Sequence, residues 1–152
     1  MIQRKQTLYL LLAIFAIFAI MFLPILQGIT PVVNYEWQIT SFYFEEPTSK
    51  IIEYWPEFNF FIIECLVLLL SIYTIFAYKN RKLQMKLCVV NMILLVIWYV
   101  LLVFIVMIKF DGNSLKIGWE PFLPLVAFIL IYLAHQGIAA DERLVKAADR
   151  IR

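Results

Sequence analysis

A bundle of four membrane-spanning helices, all-α apart from a hairpin-like excursion in one connecting loop, is the fold class this sequence predicts. Three observations predict it. Hydrophobic residues make up 64% of the 152, and the mean hydropathy is +0.87, well above the roughly 45–50% apolar usage of soluble domains. Four apolar runs of about twenty residues recur along the chain, each matching the ~30 Å thickness of bilayer hydrocarbon. The positive charges gather between and beside these runs instead of inside them.

The first run covers residues 7–26 without a charge. Arg4 and Lys5 precede it, which also describes a secretory signal peptide, but the run is longer than a usual h-region and no small-residue cleavage site follows. Retention as a signal anchor is the expectation. Pro24, Gly28 and Pro31 end the helix.

Residues 27–57 form the outer loop, with Glu36, Glu45, Glu46, Glu53 and Glu57 against a single Lys50. Val33, Tyr35, Trp37 and Ile39 alternate with polar residues, the period of a strand with one covered face. Glu46-Pro47-Thr48-Ser49 supplies a turn before residues 51–55. The pattern predicts a two-stranded hairpin on the membrane surface, with Tyr35 and Trp37 as contacts for a partner or for lipid.

The second and third spans fall at residues 58–78 and 87–108, joined by a basic loop at 79–86 with Lys79, Arg81, Lys82 and Lys86. Asp111-Gly112-Asn113-Ser114 makes a turn. The fourth span, residues 121–139, opens on Pro121, which is tolerated in a first helical turn, as is Pro124. A tail at 140–152 reads as a short cytoplasmic amphipathic helix, with Leu144, Ala148 and Ile151 on one stripe and Arg143, Lys146 and Arg150 on the next. Those three bases would meet an anionic leaflet or a protein partner. Glu142 and Lys146 form a favourable i,i+4 pair. The whole chain thus reads as a single membrane domain.

Sidedness follows from the basic residues, which collect on the cytoplasmic side of a membrane protein. Ten Lys and Arg lie at the two ends and in the middle loop, against three in the two opposite loops. Both termini are expected in the cytoplasm, with the chain in a bacterial inner membrane. Trp55-Pro56-Glu57-Phe58 and Trp119-Glu120-Pro121-Phe122 precede the second and fourth spans alike. Interfaces recruit Trp and helix starts recruit Pro, so this echo needs no internal duplication.

The spans are poor in chemistry. Glu64 is the one carboxylate well inside an apolar run, about 9 Å below the helix start at 1.5 Å per residue. It reads either as a proton or cation site or as a carboxyl hydrogen-bonded to a neighbouring helix. Asn91 and His135 fall at similar depth near the inner ends of their spans, where they would face each other or serve as interhelical hydrogen-bonding groups. Only Ser71, Tyr73 and Thr74 lie between that level and Glu64.

One histidine cannot supply paired haem ligands, and no His-Glu-x-x-His or glycine-rich phosphate loop occurs. Cys65 and Cys88 sit towards opposite faces without a Cys-x-x-Cys partner, as buried hydrophobes would. No cofactor, metal or catalytic residue is expected. The net charge of +2 gives no reason to expect nucleic acid. The expected partners are membrane lipid and other membrane subunits.

Met1-Ile2-Gln3-Arg4 with Leu8-Tyr9-Leu10-Leu11, and the ending Asp141-Glu142, Leu144-Val145, Ala148-Asp149-Arg150 and Arg152, resemble a family of small four-helix inner-membrane proteins of the Bacteroidota. That family is catalogued as a domain of unknown function. The resemblance implies four spans over the whole chain, while its distinctive motifs cover the two ends. Ala139-Ala140 stands where such proteins carry a basic pair, which weakens the basic patch of the tail. The resemblance brings no catalytic residues.

Two function classes follow: a non-enzymatic accessory subunit or scaffold of a larger inner-membrane complex, or a small transporter or proton- or cation-conducting component using Glu64.

Overall fold

The computed structural model describes residues 5–29, 34–38, 42–45, 50–53, 58–78, 80–109, 115–116 and 118–151. The turn expected at 46–49, the one at 111–114, and the first half of the Trp-Pro echo, at 55–57, lie outside them. Four helices are present where the apolar runs put them: α1 (Lys5–Ile20), α2 (Phe58–Phe76), α3 (Arg81–Lys109) and α4 (Phe122–Ile151). Each packs on two others. Helix α1 lies against α2 and α4, and α3 lies against α2 and α4, so the four close a ring in which α1 faces α3 across the diagonal. Short links between successive α-helices force an antiparallel pair, and α2 and α3 are joined by a turn closed by Ala77 N–H to Tyr73 O and Asn80 N–H to Ala77 O.

The ring encloses a ladder of small and medium apolar side chains. Ala13 and Ile17 of α1 meet Ala127, Ile131 and Ala134 of α4, with Val67, Cys88 and Leu95 from the other pair. Alanine at the crossing allows close approach of the backbones, the usual basis of helix packing in apolar surroundings. Gly137 extends the same logic: a Cβ there would lie 2.8 Å from Gln6 Cγ. Beside it Gln6 Nε2 donates to Asp141 Oδ2 at 2.9 Å, and Arg81 Nη1 donates to the Asp141 carbonyl at 3.2 Å. These three residues clasp the starts of α1 and α3 to α4 at what we term the loop end.

The other end, the sheet end, corrects the sequence reading. In place of a two-stranded hairpin, residues 24–29, 34–38, 42–45, 50–53 and 115–116 make a five-stranded antiparallel sheet in the order β4-β3-β2-β1-β5. Its strands are β1 (Pro24–Ile29), β2 (Asn34–Gln38), β3 (Phe42–Glu45), β4 (Lys50–Glu53) and β5 (Leu115–Lys116). The run after the predicted turn, β4, pairs with β3 and not with β2. Within β2, Tyr35 is in register with Phe44 and Trp37 with Phe42. Pro24 stands at the first position of β1 beside a register shift, one of the few places a strand tolerates proline. Three or more strands suffice where a lone hairpin is marginal, which is the physical reason for the larger sheet. Ile25 of β1 is fully buried with Ile20, Phe60, Trp98 and Leu102 in a second apolar cluster, which fastens the sheet to the helices.

Three boundaries also differ from the sequence reading. Helix α1 ends at Ile20 and not at residue 26, because the end of the first apolar run is strand β1. The basic loop at 79–86 is mostly helix, because α3 starts at Arg81 with Asn80 as its cap: Leu83 N–H donates to Asn80 Oδ1 at 3.1 Å. The tail is not a separate helix lying in a membrane plane but a direct continuation of α4 to Ile151. No glycine or proline interrupts residues 138–151, so nothing in the sequence ends the helix at Ala139.

Two helical stretches, Arg81–Phe104 and Phe122–Ala147, are long and apolar enough to cross a membrane, while α1 and α2 are apolar but shorter. All four helices turn large apolar side chains outward, among them Phe15, Phe18, Leu69, Phe76, Val100 and Ile129.

Candidate functional site

The buried polar groups of the bundle collect at one interface. Glu64, Ser71 and Thr74 on α2 and Asn91 on α3 are the buried polar or charged side chains among the described residues. On α2 the buried positions 64, 67, 71 and 74 follow the 3- and 4-residue spacing of a single helix stripe. That stripe, which Phe60 extends by one turn, meets α3, and Val67 is the apolar position between Glu64 and Ser71.

Ser71 and Asn91 join across the interface, Asn91 Nδ2 donating to Ser71 Oγ at 3.1 Å. One turn towards the loop end, Gln84 Nε2 of α3 donates to the Thr74 carbonyl at 2.8 Å, while the Thr74 hydroxyl donates to the Leu70 carbonyl at 2.6 Å. The second bond returns a hydroxyl to its own helix, the usual way a buried threonine is satisfied there. Asn91 Oδ1 has no partner.

Glu64 lies near the sheet end and is only 2% exposed. The Trp98 indole faces its carboxyl but does not close a hydrogen bond of good geometry, so both carboxyl oxygens and Trp98 Nε1 are without a partner. Phe60, one turn above Glu64, stands edge to face with Trp98 at 5.6 Å between centroids, and Trp98 does the same with Tyr99 at 5.1 Å. The Tyr99 hydroxyl is taken up by the Pro121 carbonyl at 2.5 Å. Burying an ion among aromatic rings with no offsetting group is strongly unfavourable. This carboxyl is therefore the most chemically exceptional group of the bundle.

The three residues singled out from sequence do not form one site. Asn91 engages Ser71, and His135 sits half-buried on α4, which does not adjoin α2. Arg81 stands level with Asp141 and Tyr99 with Pro121, which puts His135 about one turn nearer the loop end than Asn91. No hydrogen bond joins Asn91 and His135 among the described residues. Of the intermediates, Ser71 and Thr74 lie on the stripe and Tyr73 is exposed. Sequence reasoning missed Trp98, which reads as one more apolar residue of a span.

In the tail, Arg143 and Lys146 are exposed, as is Leu144. The predicted Glu142–Lys146 pair is present at 3.6 Å. Arg150 belongs to the same helix, but its side chain, like those of Tyr35 and Trp37, lies outside the described residues. Both cysteines are free, Cys88 buried and Cys65 partly so. No group of three or more His, Cys, Asp or Glu that could hold a metal occurs among the described residues.

The chain belongs to the family described as a domain of unknown function, DUF4293, whose model matches residues 2–151. This bears out the family resemblance carried by the two ends of the sequence. No curated protein matches the chain.

Proposed function

We propose that this member of the family is a four-span protein of a bacterial inner membrane, with both termini in the cytoplasm, acting without catalysis as an accessory subunit or scaffold of a larger membrane complex. The observation that carries the membrane part is the outward display of large apolar side chains by all four helices, α1 and α2 included. A water-soluble monomer rarely exposes a continuous apolar surface of that extent. Lipid covers it without further expense.

The subunit reading is supported by where polarity remains. Polar groups inside the bundle are few and mostly tied to one another, whereas α4 runs on beyond its clasp at Asp141 as an exposed helix with Arg143, Leu144 and Lys146 outward. A rigid projection of mixed apolar and basic character suits a cytoplasmic partner protein. Full-length protein extracted in mild detergent should bring down defined membrane partners, and a chain truncated after Glu142 should lose them while folding normally. Isolation of the full-length protein alone, reproducibly and from its native membrane, would remove the proposal.

A second reading, a small proton- or cation-conducting component, is favoured by one observation: the partnerless Glu64 carboxyl.

A further inference from the structure

We infer that Glu64 is a proton-binding site cut off from the polar groups nearer the loop end, so the proton is its ligand and not a passenger across the bundle. This sharpens the second reading into a binding function and does not depend on the subunit proposal.

The occupant follows by elimination. A metal cation needs several oxygen or nitrogen ligands, and the polar group facing Glu64 is an indole N–H, which can only donate and so repels cations. The Trp98 that faces it belongs to the apolar cluster of Ile20, Ile25, Phe60 and Leu102, with Ile63, Tyr99 and Leu123 packed on it. From α1 and β1 these present only aliphatic side chains, and from α4 only Leu123. From α3 the one titratable group is Tyr99, whose hydroxyl is already bonded to Pro121. Among the described residues no Lys or Arg is buried. A proton fits the described surroundings: it adds an O–H bond at one carboxyl oxygen, comes from solvent, cancels the charge, and leaves by the reverse step with no change of oxidation state.

This separation follows from spacing along α2. Glu64 is six residues, about 9 Å, from the start of the helix at Phe58. Towards the loop end the next polar side chain is Ser71, about 10 Å away, and the fully buried Val67 fills the stripe between them. Ser71, Asn91, Thr74 and Gln84 are bonded among themselves and to the backbone. The polar stripe is thus interrupted between Glu64 and the loop end.

The test uses full-length protein in lipid nanodiscs and infrared spectroscopy of the carboxylic-acid carbonyl stretch. The wild type should show a band from a neutral buried carboxyl that disappears completely in Glu64→Gln. It should shift in Trp98→Phe and fade reversibly as the buffer is made alkaline, with one proton released per chain. Sodium, potassium and calcium should leave it unchanged. If Glu64→Gln does not fold, Glu64→Asp must retain a band at a shifted frequency. In proteoliposomes, wild type and Glu64→Gln should have equal passive proton permeability. Identical infrared spectra for wild type and Glu64→Gln, a band displaced by a metal ion, or proton flux lost in Glu64→Gln would each overturn the inference. Partner capture by the tail is read separately, so either proposal can fail alone.

Discussion

At Asn91, Nδ2 donates to Ser71 while Oδ1 meets nothing, so removing Ser71 strands the whole amide in an apolar interior. Hydrogen bonds between helices in such surroundings are worth about 0.6–2 kcal/mol. Ser71→Ala should therefore destabilise the bundle by about 1 kcal/mol, and the double variant Ser71→Ala with Asn91→Leu should recover most of it, because two partners lost together leave no orphan. Thermal unfolding in detergent, followed by helical circular dichroism, measures both. Gly137 offers a second balance. Replacing a helical glycine by alanine gains about 1 kcal/mol of propensity, while a new Cβ 2.8 Å from Gln6 Cγ costs about as much in displaced packing. Gly137→Ala should be nearly neutral and Gly137→Val clearly destabilising in the same assay. Of this residue-level picture, the importance of Glu64 was legible in the sequence, since a lone carboxylate in an apolar run stands out. Its surroundings were not. Trp98 meets it only through the pairing of α2 with α3, and apolar runs this uniform carry little phase information to orient two helix faces.

The α4 element is one rod across the predicted break at Ala139, and that continuity is what its function would use. Ala140→Pro removes a backbone donor and clashes with the preceding turn, a penalty of about 3 kcal/mol that falls on the exposed half of the helix. The bundle should lose at most what the clasp at Asp141 and its adjoining turn contribute, while capture of partner proteins should fall as far as it does on truncation after Glu142. Unimpaired capture would show that the tail acts as a loose segment and not as a rigid arm. The elements were legible where hydropathy defines them and misread where it does not. Four apolar runs gave four helices, and the Glu142–Lys146 spacing gave a real ion pair. The sheet was underestimated because β1 begins inside the first apolar run, at Pro24, where residues 24–26 look like the end of a span. Strand β5 has two residues, too few for any periodicity to declare.

Across the whole molecule the helices are unequal in a way that locates a slab. Helices α1 and α2 have 16 and 19 residues, about 24 and 28 Å at 1.5 Å each. Helices α3 and α4 have 29 and 30, about 45 Å, well beyond a hydrocarbon layer of ~30 Å. The excess of α4 leaves at the loop end, past the Gln6–Asp141–Arg81 clasp, and the excess of α3 leaves at the sheet end, past the Tyr99–Pro121 bond. Between those two polar boundaries α3 rises about 27 Å, close to the thickness of a bilayer core. The topology proposed above, with the basic excess at the loop end in the cytoplasm, makes a labelling prediction. In a background with Cys65 and Cys88 replaced by serine, Lys82→Cys and Arg143→Cys should react with a membrane-impermeant maleimide only after cells are opened. Trp119→Cys, exposed at the sheet end, should react in intact spheroplasts. Labelling of Lys82→Cys from outside would invert the molecule and move its projecting helix out of the cytoplasm. Equal labelling of all three from outside would mean that no bilayer divides the clasp from the sheet.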